Sequence, residues 1–438
     1  MKIITLTPDE SGMVDWPTLS NDKKSVLTIG SFDGMHRGHQ AVIRRVVELA
    51  RKERSFSVVV LFEPRPAMVH GYAAKHDGQE PPVGMLDTQA LTSVDERLRS
   101  INALGVDYTI IVRYTLEFAA KSYRFFLGQM VGKLGMRALV LGADAALGAN
   151  RAGDVKAIEN LASATGIFQL DVVDDHGPGE TRVPANAKPV MPADHGEPAD
   201  PLEGATKAER RAWSKKHQAK AVRVWSSTNV RYLLGQGRIK DADAILGHMH
   251  AVEGTVVHGE ERGRTIGFPT ANLSQDVFGY LPVDGVYAGW LVDLGKVGDE
   301  AGKPADGIAT AYDSSSMDAR LAPHSPYRWP AAISIGTKPT FNEATGMHER
   351  VVEAYAITDD WLDLYGHQVR VEFAGFLRPQ IRFASADDLA AELRRNVEET
   401  NQLLPSVPEM REELSGFGIL GFIHDLSRRA VFGDDAVA

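Results

Sequence analysis

The stretch Gly30-Ser31-Phe32-Asp33-Gly34-Met35-His36-Arg37-Gly38-His39 constrains this chain more than any other feature. Before it, Val26-Leu27-Thr28-Ile29 is short, apolar and β-branched, as a buried strand is. After it, Val42, Ile43, Val46, Val47 and Ala50 fall on one helical face. Phe56-Ser57-Val58-Val59-Val60-Leu61-Phe62 then reads as a second strand. Strand, turn, helix and strand make a βαβ unit, which implies parallel pairing and a right-handed crossover. Further strands are expected at Tyr108–Val112 and Ala138–Gly142, with helices around Val94–Leu104 and Ser122–Lys133. The first half is therefore an α/β fold with a doubly wound parallel sheet, whose ligands sit beyond the carboxyl ends of the strands.

The pattern changes after Val252. Short strands at Val252–Val257, Gly285–Val292, Ala331–Ile335, Val351–Ile357 and Gln368–Phe373, separated by turns, suggest a small antiparallel barrel. Ala386–Leu404 reads as a closing helix. The fold class is thus α/β followed by β, in two domains, spanning about 1–243 and 246–404. Six prolines between Gly177 and Leu202 mark a surface insertion or mobile loop, about 177–206. The glycines, serines and prolines of 296–330 mark a loop inserted into the barrel. Lys207–Ala219 is a charged helix whose Arg210, Arg211, Lys215 and Lys216 read first as a solvated face and second as a phosphate contact. Residues 405–438 form an apolar-containing extension, read as core packing ahead of a partner contact.

Composition narrows the function classes. A net charge of −10 gives no general attraction to nucleic acid, so any nucleotide bound is small and held by local geometry. Cysteine is absent, which excludes thiolate chemistry and cysteine-ligated zinc. The N-terminal residues turn polar too soon for a signal peptide, and no run of about 18 apolar residues suggests a membrane span. A soluble cytoplasmic enzyme is the expectation.

Two sites carry chemistry. In the first, Gly30 and Gly34 allow a tight turn and close backbone approach to phosphates, and the following helix offers unpaired N–H groups. His36 and His39, three apart at that helix start, can point to one side and donate hydrogen bonds to charge building on a phosphorus. The plainer readings are a helix cap with a surface histidine, or a metal pair, for which no completing ligand is obvious nearby. In the second, Gly259, Gly263 and Gly267 recur every four residues, as in a hairpin or flap over phosphates, or else a flexible barrel corner. Thr270 and Asn272 share one face of an extended segment and are hard ligands suited to Mg²⁺. Glu353 shares a strand face with Val351, Tyr355 and Ile357, which is costly for a carboxylate unless it is paired or used; an edge-strand Glu facing solvent is the alternative.

These motifs resemble two families. The first half resembles the nucleotidyltransferases with a Gly-x-Phe-Asp-x-x-His-x-Gly-His signature, which bind ATP and release pyrophosphate. More narrowly it resembles the adenylyltransferase module of the bacterial bifunctional riboflavin kinase/FAD synthetases. Further matches are Phe62-Glu63-Pro64-Arg65-Pro66, Leu141-Gly142-Ala143-Asp144, Arg151–Asp154 and Ser226-Ser227-Thr228-Asn229-Val230-Arg231. The resemblance implies a Rossmann-like fold in which Gly30, Phe32, Asp33, Gly34, Gly38, Asp144, Ser226, Ser227, Thr228 and Arg231 surround ATP. Ser226 or Ser227 could equally cap the next helix. The sequence around Gly263-Arg264-Thr265-Ile266-Gly267-Phe268-Pro269-Thr270-Ala271-Asn272 resembles riboflavin kinases, as do Gly285-Val286-Tyr287, Ile335–Phe341, Leu364-Tyr365-Gly366 and Phe376–Pro379. That implies a Greek-key barrel with Gly259, Gly263, Gly267 and Thr270 on ATP, Thr270 and Asn272 on Mg²⁺, and Glu353 as general base for the flavin's ribityl hydroxyl.

Two departures stand out. The family has two phenylalanines where this chain has Ala145-Ala146-Leu147, and it has histidine where Arg65 stands. The leading expectation is riboflavin to FMN in the barrel and FMN to FAD in the parallel-sheet half, with riboflavin, FMN and ATP as ligands and neither nucleic acid nor membrane as partner. A kinase with a degenerate first half, or a non-catalytic flavin-binding regulator, are the competing readings.

Overall fold

The computed structural model describes residues 1–259, 268–296, 306–338 and 349–404. The first half holds a seven-stranded sheet, ordered Thr310–Ala311, Lys2–Leu6, Tyr108–Arg113, Phe56–Glu63, Ser25–Gly30, Met136–Gly142, Gln169–Val173. All neighbours pair in parallel except Thr310–Ala311, which lies antiparallel to Lys2–Leu6. Helices cover both faces, so the central strands are apolar throughout: Val58, Val59, Val60 and Leu61 are all fully buried. The chain winds away from Ser25–Gly30 first to Phe56–Glu63 on one side and later to Met136–Gly142 on the other. The strand order reverses there, and a crevice opens at the carboxyl ends of such a pair.

Helix Arg37–Glu53 buries the anticipated Val42, Ile43, Val46, Val47 and Ala50, is capped at its start by His36, and ends on Arg54 with left-handed backbone. Among the strands that went unanticipated are Lys2–Leu6 and Gln169–Val173. Lys2–Leu6 stands apart from any βαβ pattern, and Gln169–Val173 is a half-exposed edge strand whose Asp171 breaks the apolar run.

The segment 177–206 is more ordered than a free loop. Glu180–Val183 pairs with Lys220–Arg223 in a two-stranded ribbon, and the helix Lys207–Lys216 between them buries nothing. Further on, the Val190 N–H donates to the Gly235 carbonyl at 2.8 Å and the Gly196 N–H to the Leu377 carbonyl at 2.7 Å. Glu197 accepts from the Lys240 N–H at 3.1 Å and the Phe376 N–H at 3.4 Å, so it ties a helix start to a barrel strand. Burial pushes its carboxyl up to about 7, against those bonds and Lys240.

The second half is a closed six-stranded barrel in the order Ala251–Val257, Ala271–Leu273, Glu349–Ala356, Arg328–Lys338, Gly285–Lys296, His367–Arg378. Its pairings are antiparallel, and the return of Ala271–Leu273 to Glu349–Ala356 across two intervening strands gives the Greek-key connection. Leu291, Ile333, Val371 and Phe373 fill the interior. Helix Ala386–Leu403 packs across three barrel strands. The stretch 296–330, expected to be a loop, contains helix Ser315–Leu321 as well as Thr310–Ala311, the strand that completes the sheet of the other half. The extension 405–438 lies outside the described residues.

The halves share an interior. Leu91, Val230, Leu234, Ile245 and Leu246 pack in one cluster with Val252, Tyr287, Phe373 and Phe376 of the barrel. Beside it lies a buried network of three arginines and three glutamates. Arg370 meets Glu96, Glu253 (3.2 Å) and Glu372 (3.1 Å); Arg328 meets Glu372 at 2.9 Å; Arg99 meets Glu253 and Glu96. Glu96 and Arg99 belong to helix Val94–Ala103 and the other four to barrel strands, so the pairs Arg370–Glu96 and Arg99–Glu253 cross the domain boundary.

Candidate functional site

The first site forms at the reversal point of the sheet. Gly30 closes its strand, and Phe32 (φ 47°), Gly34 (φ 80°) and Met35 (φ 43°) turn the chain through left-handed backbone. At Gly34 the left-handed backbone strains any other residue, and a Cβ there would lie 2.6 Å from Leu91 Cδ1, which would have to shift. His36 ends the turn; its Nδ1 accepts the His39 N–H at 3.4 Å, and the two rings stack at 3.6 Å. Phe32 meets the His39 ring edge-on at 5.4 Å, and Gly38 lies in the first helical turn.

Burial drives His36 down to about 3, with Arg223 and Arg231 adding to the effect. His39 falls well below the ordinary range, through burial first and then His36 and Arg223. Both rings are therefore neutral at pH 7. Since Nδ1 of His36 accepts, its proton sits on Nε2, leaving one directed donor. Nδ1 of His39 is buried without a hydrogen-bond partner. A neutral imidazole pair at a helix start is suited to hydrogen-bonding phosphoryl oxygens without holding charge in the free protein.

The other residues expected around ATP divide by what they touch. Asp33 is 4% exposed; its carboxylate takes the Leu91 N–H at 2.7 Å and meets both Arg65, at 3.2 Å, and Arg231. Ser227 Oγ donates to the Asp33 carbonyl at 2.8 Å. Ser226 caps helix Ser227–Leu234, accepting the Asn229 N–H at 3.2 Å, and Thr228 is exposed. Asp144 pairs with Arg223 at 2.9 Å. Sequence reasoning missed Arg223 and Asp175. Arg223 bridges Asp144 and Asp175, and Asp175 also takes the Ala143 N–H at 3.2 Å. Arg223 lies eight residues before Arg231, with no motif of its own to mark it. Ala146–Leu147, one of the two departures, forms a small ribbon with Gly153–Asp154 and buries Leu147.

In the barrel, Asn272 stands directly across from Glu353 in the strand register, and Ser334 flanks Glu353 on the other side. Asn272 Nδ2 lies 3.3 Å from Thr270 Oγ1, so all three polar groups meet on one face. That face is not the core face: Val352 and Ala354 are buried, whereas Val351, Glu353 and Tyr355 are half-buried and look outward. Gly259 lies against this cluster, since a Cβ there would fall 2.5 Å from the Asn272 amide. Gly263 and Gly267 lie outside the described residues. Beside the cluster is a cavity of about 280 Å³, bordered by Thr270, Asn272, Tyr355, Asp360, Trp361 and Tyr365. His258 stacks on Tyr365 at 3.8 Å, and Phe268 packs on Tyr355 at 5.1 Å. Aromatic walls together with a hydroxyl and an amide suit a flat ring carrying a polyhydroxyl tail.

The donor set of Thr270 and Asn272 fits Mg²⁺, which takes hard oxygens and keeps several ligands from phosphate and water. No group of three or more His, Cys, Asp or Glu residues able to hold a metal occurs among the described residues. No helix among them is long and apolar enough to cross a membrane.

Comparison with known proteins matches residues 18–187 to the FAD synthetase family and residues 246–404 to the riboflavin kinase family. A bifunctional riboflavin kinase/FMN adenylyltransferase of Escherichia coli K12 is 31% identical over 374 residues, covering 85% of this chain and 90% of that protein. One from Listeria monocytogenes is 26% identical, covering 86% and 92%. A crystal structure of a Streptococcus pneumoniae protein named a macrolide-efflux protein superposes with a TM-score of 0.59 over 91% of this chain and 99% of its own, at 22% identity; the likeness is one of fold.

Proposed function

The chain belongs to the bifunctional riboflavin kinase/FMN adenylyltransferases, making FMN from riboflavin and FAD from FMN with ATP as donor, and we propose which residues carry each step. The kinase step belongs to the barrel, about 246–404, and the adenylyl transfer to about 1–243. The observation that carries the site reading is the pairing of Asn272 with Glu353 across one rung of the barrel, with Thr270 alongside.

In the barrel, Glu353 accepts the proton of the ribityl hydroxyl as its oxygen bonds to the γ-phosphorus of ATP, and the bond to the β–γ bridging oxygen breaks to release ADP. Thr270 and Asn272 hold Mg²⁺, whose charge offsets that of the phosphates when it is bound. Gly259 lets the backbone approach Asn272 closely, keeping that face open to the nucleotide. Tyr355 and Tyr365 border the ring of the flavin.

At the sheet, an FMN phosphate oxygen attacks the α-phosphorus of a second ATP, and the α–β bond breaks to release pyrophosphate. His36 and His39 donate their single N–H groups to the α-phosphoryl oxygens. Arg231, Ser227 and the helix N-terminus take the remaining phosphates. This chemistry is placed in the cytoplasm, where ATP and riboflavin meet.

The test separates the two steps. Glu353→Gln loses FMN formation and retains FAD formation from supplied FMN; His36→Ala does the reverse. Loss of both activities in either folded variant sinks the two-site division.

A further inference from the structure

Two arginines converge on one buried carboxylate in the adenylyl-transfer site, and they are not held alike. Arg65 is 7% exposed and forks onto Asp87, Nε to Oδ2 at 2.7 Å and Nη2 to Oδ1 at 2.9 Å. Its remaining nitrogen, Nη1, lies 3.2 Å from Asp33 Oδ2. Asp87 is itself fixed by the Gln89 N–H at 3.0 Å. Arg231 reaches the same oxygen of Asp33, and its Nε donates only to the Gln89 carbonyl, at 2.7 Å. One guanidinium is anchored by a bidentate fork, the other by a single carboxylate it must share.

We propose that Arg65 is a positioning residue for adenylyl transfer, holding Asp33 charge-compensated so that Arg231 can turn its guanidinium to the phosphates of ATP. The inference rests on the reading of Arg231 and His36 as part of that machinery. Asp33 is 4% exposed, and a buried carboxylate stripped of its cation is costly to leave behind. With Arg65 retained, Arg231 leaves without that cost. The surroundings agree. Asp33 and Asp87 balance Arg65 and Arg231; Glu63 also faces Arg65, itself paired with Arg97, and Tyr280 faces Arg231. Burial works against the charge on Arg65, but Asp33 and Asp87 outweigh it and raise its pKa. For Arg231 burial prevails and the pKa is lowered, so an added anion is favoured there.

An arginine supplies this compensation at every working pH, whereas a histidine supplies it only when protonated. The test measures FAD formation from FMN and Mg-ATP by full-length Arg65→His, Arg65→Gln and Arg65→Lys proteins, from about pH 5.5 to about pH 8.5. FMN formation by the same samples reports folding. The expected KM for ATP rises on the order of ten-fold or more in Arg65→Gln, with kcat changed far less. Arg65→His, divided by wild type at each pH, starts near unity and falls to the Arg65→Gln level as pH rises. Arg65→Lys stays within about three-fold of wild type throughout, because it keeps the charge and loses only the fork. A pH-independent Arg65→His ratio, an unchanged KM in Arg65→Gln, or an Arg65→Lys protein as impaired as Arg65→Gln overturns the proposal. His36→Ala separates the two levels: if it keeps making FAD, the site reading fails first, and if it does not, a negative result at position 65 fails this inference alone.

Discussion

Replacing Arg370 by methionine tests how the two halves are joined. Arg370 is 5% exposed and touches three carboxylates, Glu96 from the sheet half and Glu253 and Glu372 from the barrel. Methionine keeps the apolar stem and removes the cation, leaving three glutamates against Arg99 and Arg328. Removing one partner from a buried ion cluster costs about 3–5 kcal/mol, because the charge left behind stays desolvated. With an m-value of about 3 kcal/mol/M or above for a chain of this size, the urea midpoint falls by up to about 1.7 M. The companion variant Arg370→Met/Glu96→Gln restores the charge count. It recovers part of the loss, so the double change is non-additive by about 0.5–3 kcal/mol. Equilibrium urea unfolding of the single and double variants measures both quantities. A single-variant loss under about 1 kcal/mol, or strict additivity, refutes the view that ion pairing across the boundary holds the halves together.

Glu197 gives a pH dependence of stability. Its carboxyl, raised to about 7 by burial, keeps its proton in the folded chain where the unfolded chain has lost it. The folded state therefore binds the extra proton, and stability falls, by on the order of 3 kcal/mol, as pH climbs from near 4.3 to about 7, then levels off. Glu197→Gln removes that slope; matching pH profiles for the two proteins in urea unfolding count against it. Gly259→Ala drives a Cβ into the Asn272 amide, 2.5 Å away, and lowers FMN formation by at least about ten-fold while leaving FAD formation from supplied FMN intact. Steady-state assays of the two half-reactions decide it, and an unimpaired kinase would mean that Asn272 tolerates displacement.

What was legible in the sequence was whatever is local. Val58–Leu61 announces a central parallel strand because both its faces are buried, and the three-residue spacing of His36 and His39 places both rings at one helix start. Gly34 was marked for backbone freedom, which its φ of 80° requires. What was hidden depends on distant partners. Thr310–Ala311 becomes a strand only because Lys2–Leu6 offers an unpaired edge, and Ala271–Leu273 only because its neighbours close a barrel. Asp33 was expected beside phosphates, and in the structure it gathers two arginines; nothing near it in sequence names Arg65 or Arg231 as its counter-ions. Glu353 shares its strand face with Val351 and Tyr355 as alternation predicts, but alternation gives two faces and only the finished barrel says that this one looks outward.

The short pairing of Lys2–Ile3 with Thr310–Ala311 bears on how this protein can be cut apart. A fragment ending before the barrel would carry its first strand as a bare edge, with open N–H and C=O groups ready to recruit another chain. It would also uncover Leu91, Val230 and Leu246, which now face barrel side chains. Excising either catalyst as an independent tool therefore calls for capping that edge and recolouring that patch with polar residues. The ribosome meets the same constraint: Lys2–Leu6 waits for its outer neighbour until some three hundred further residues have been made.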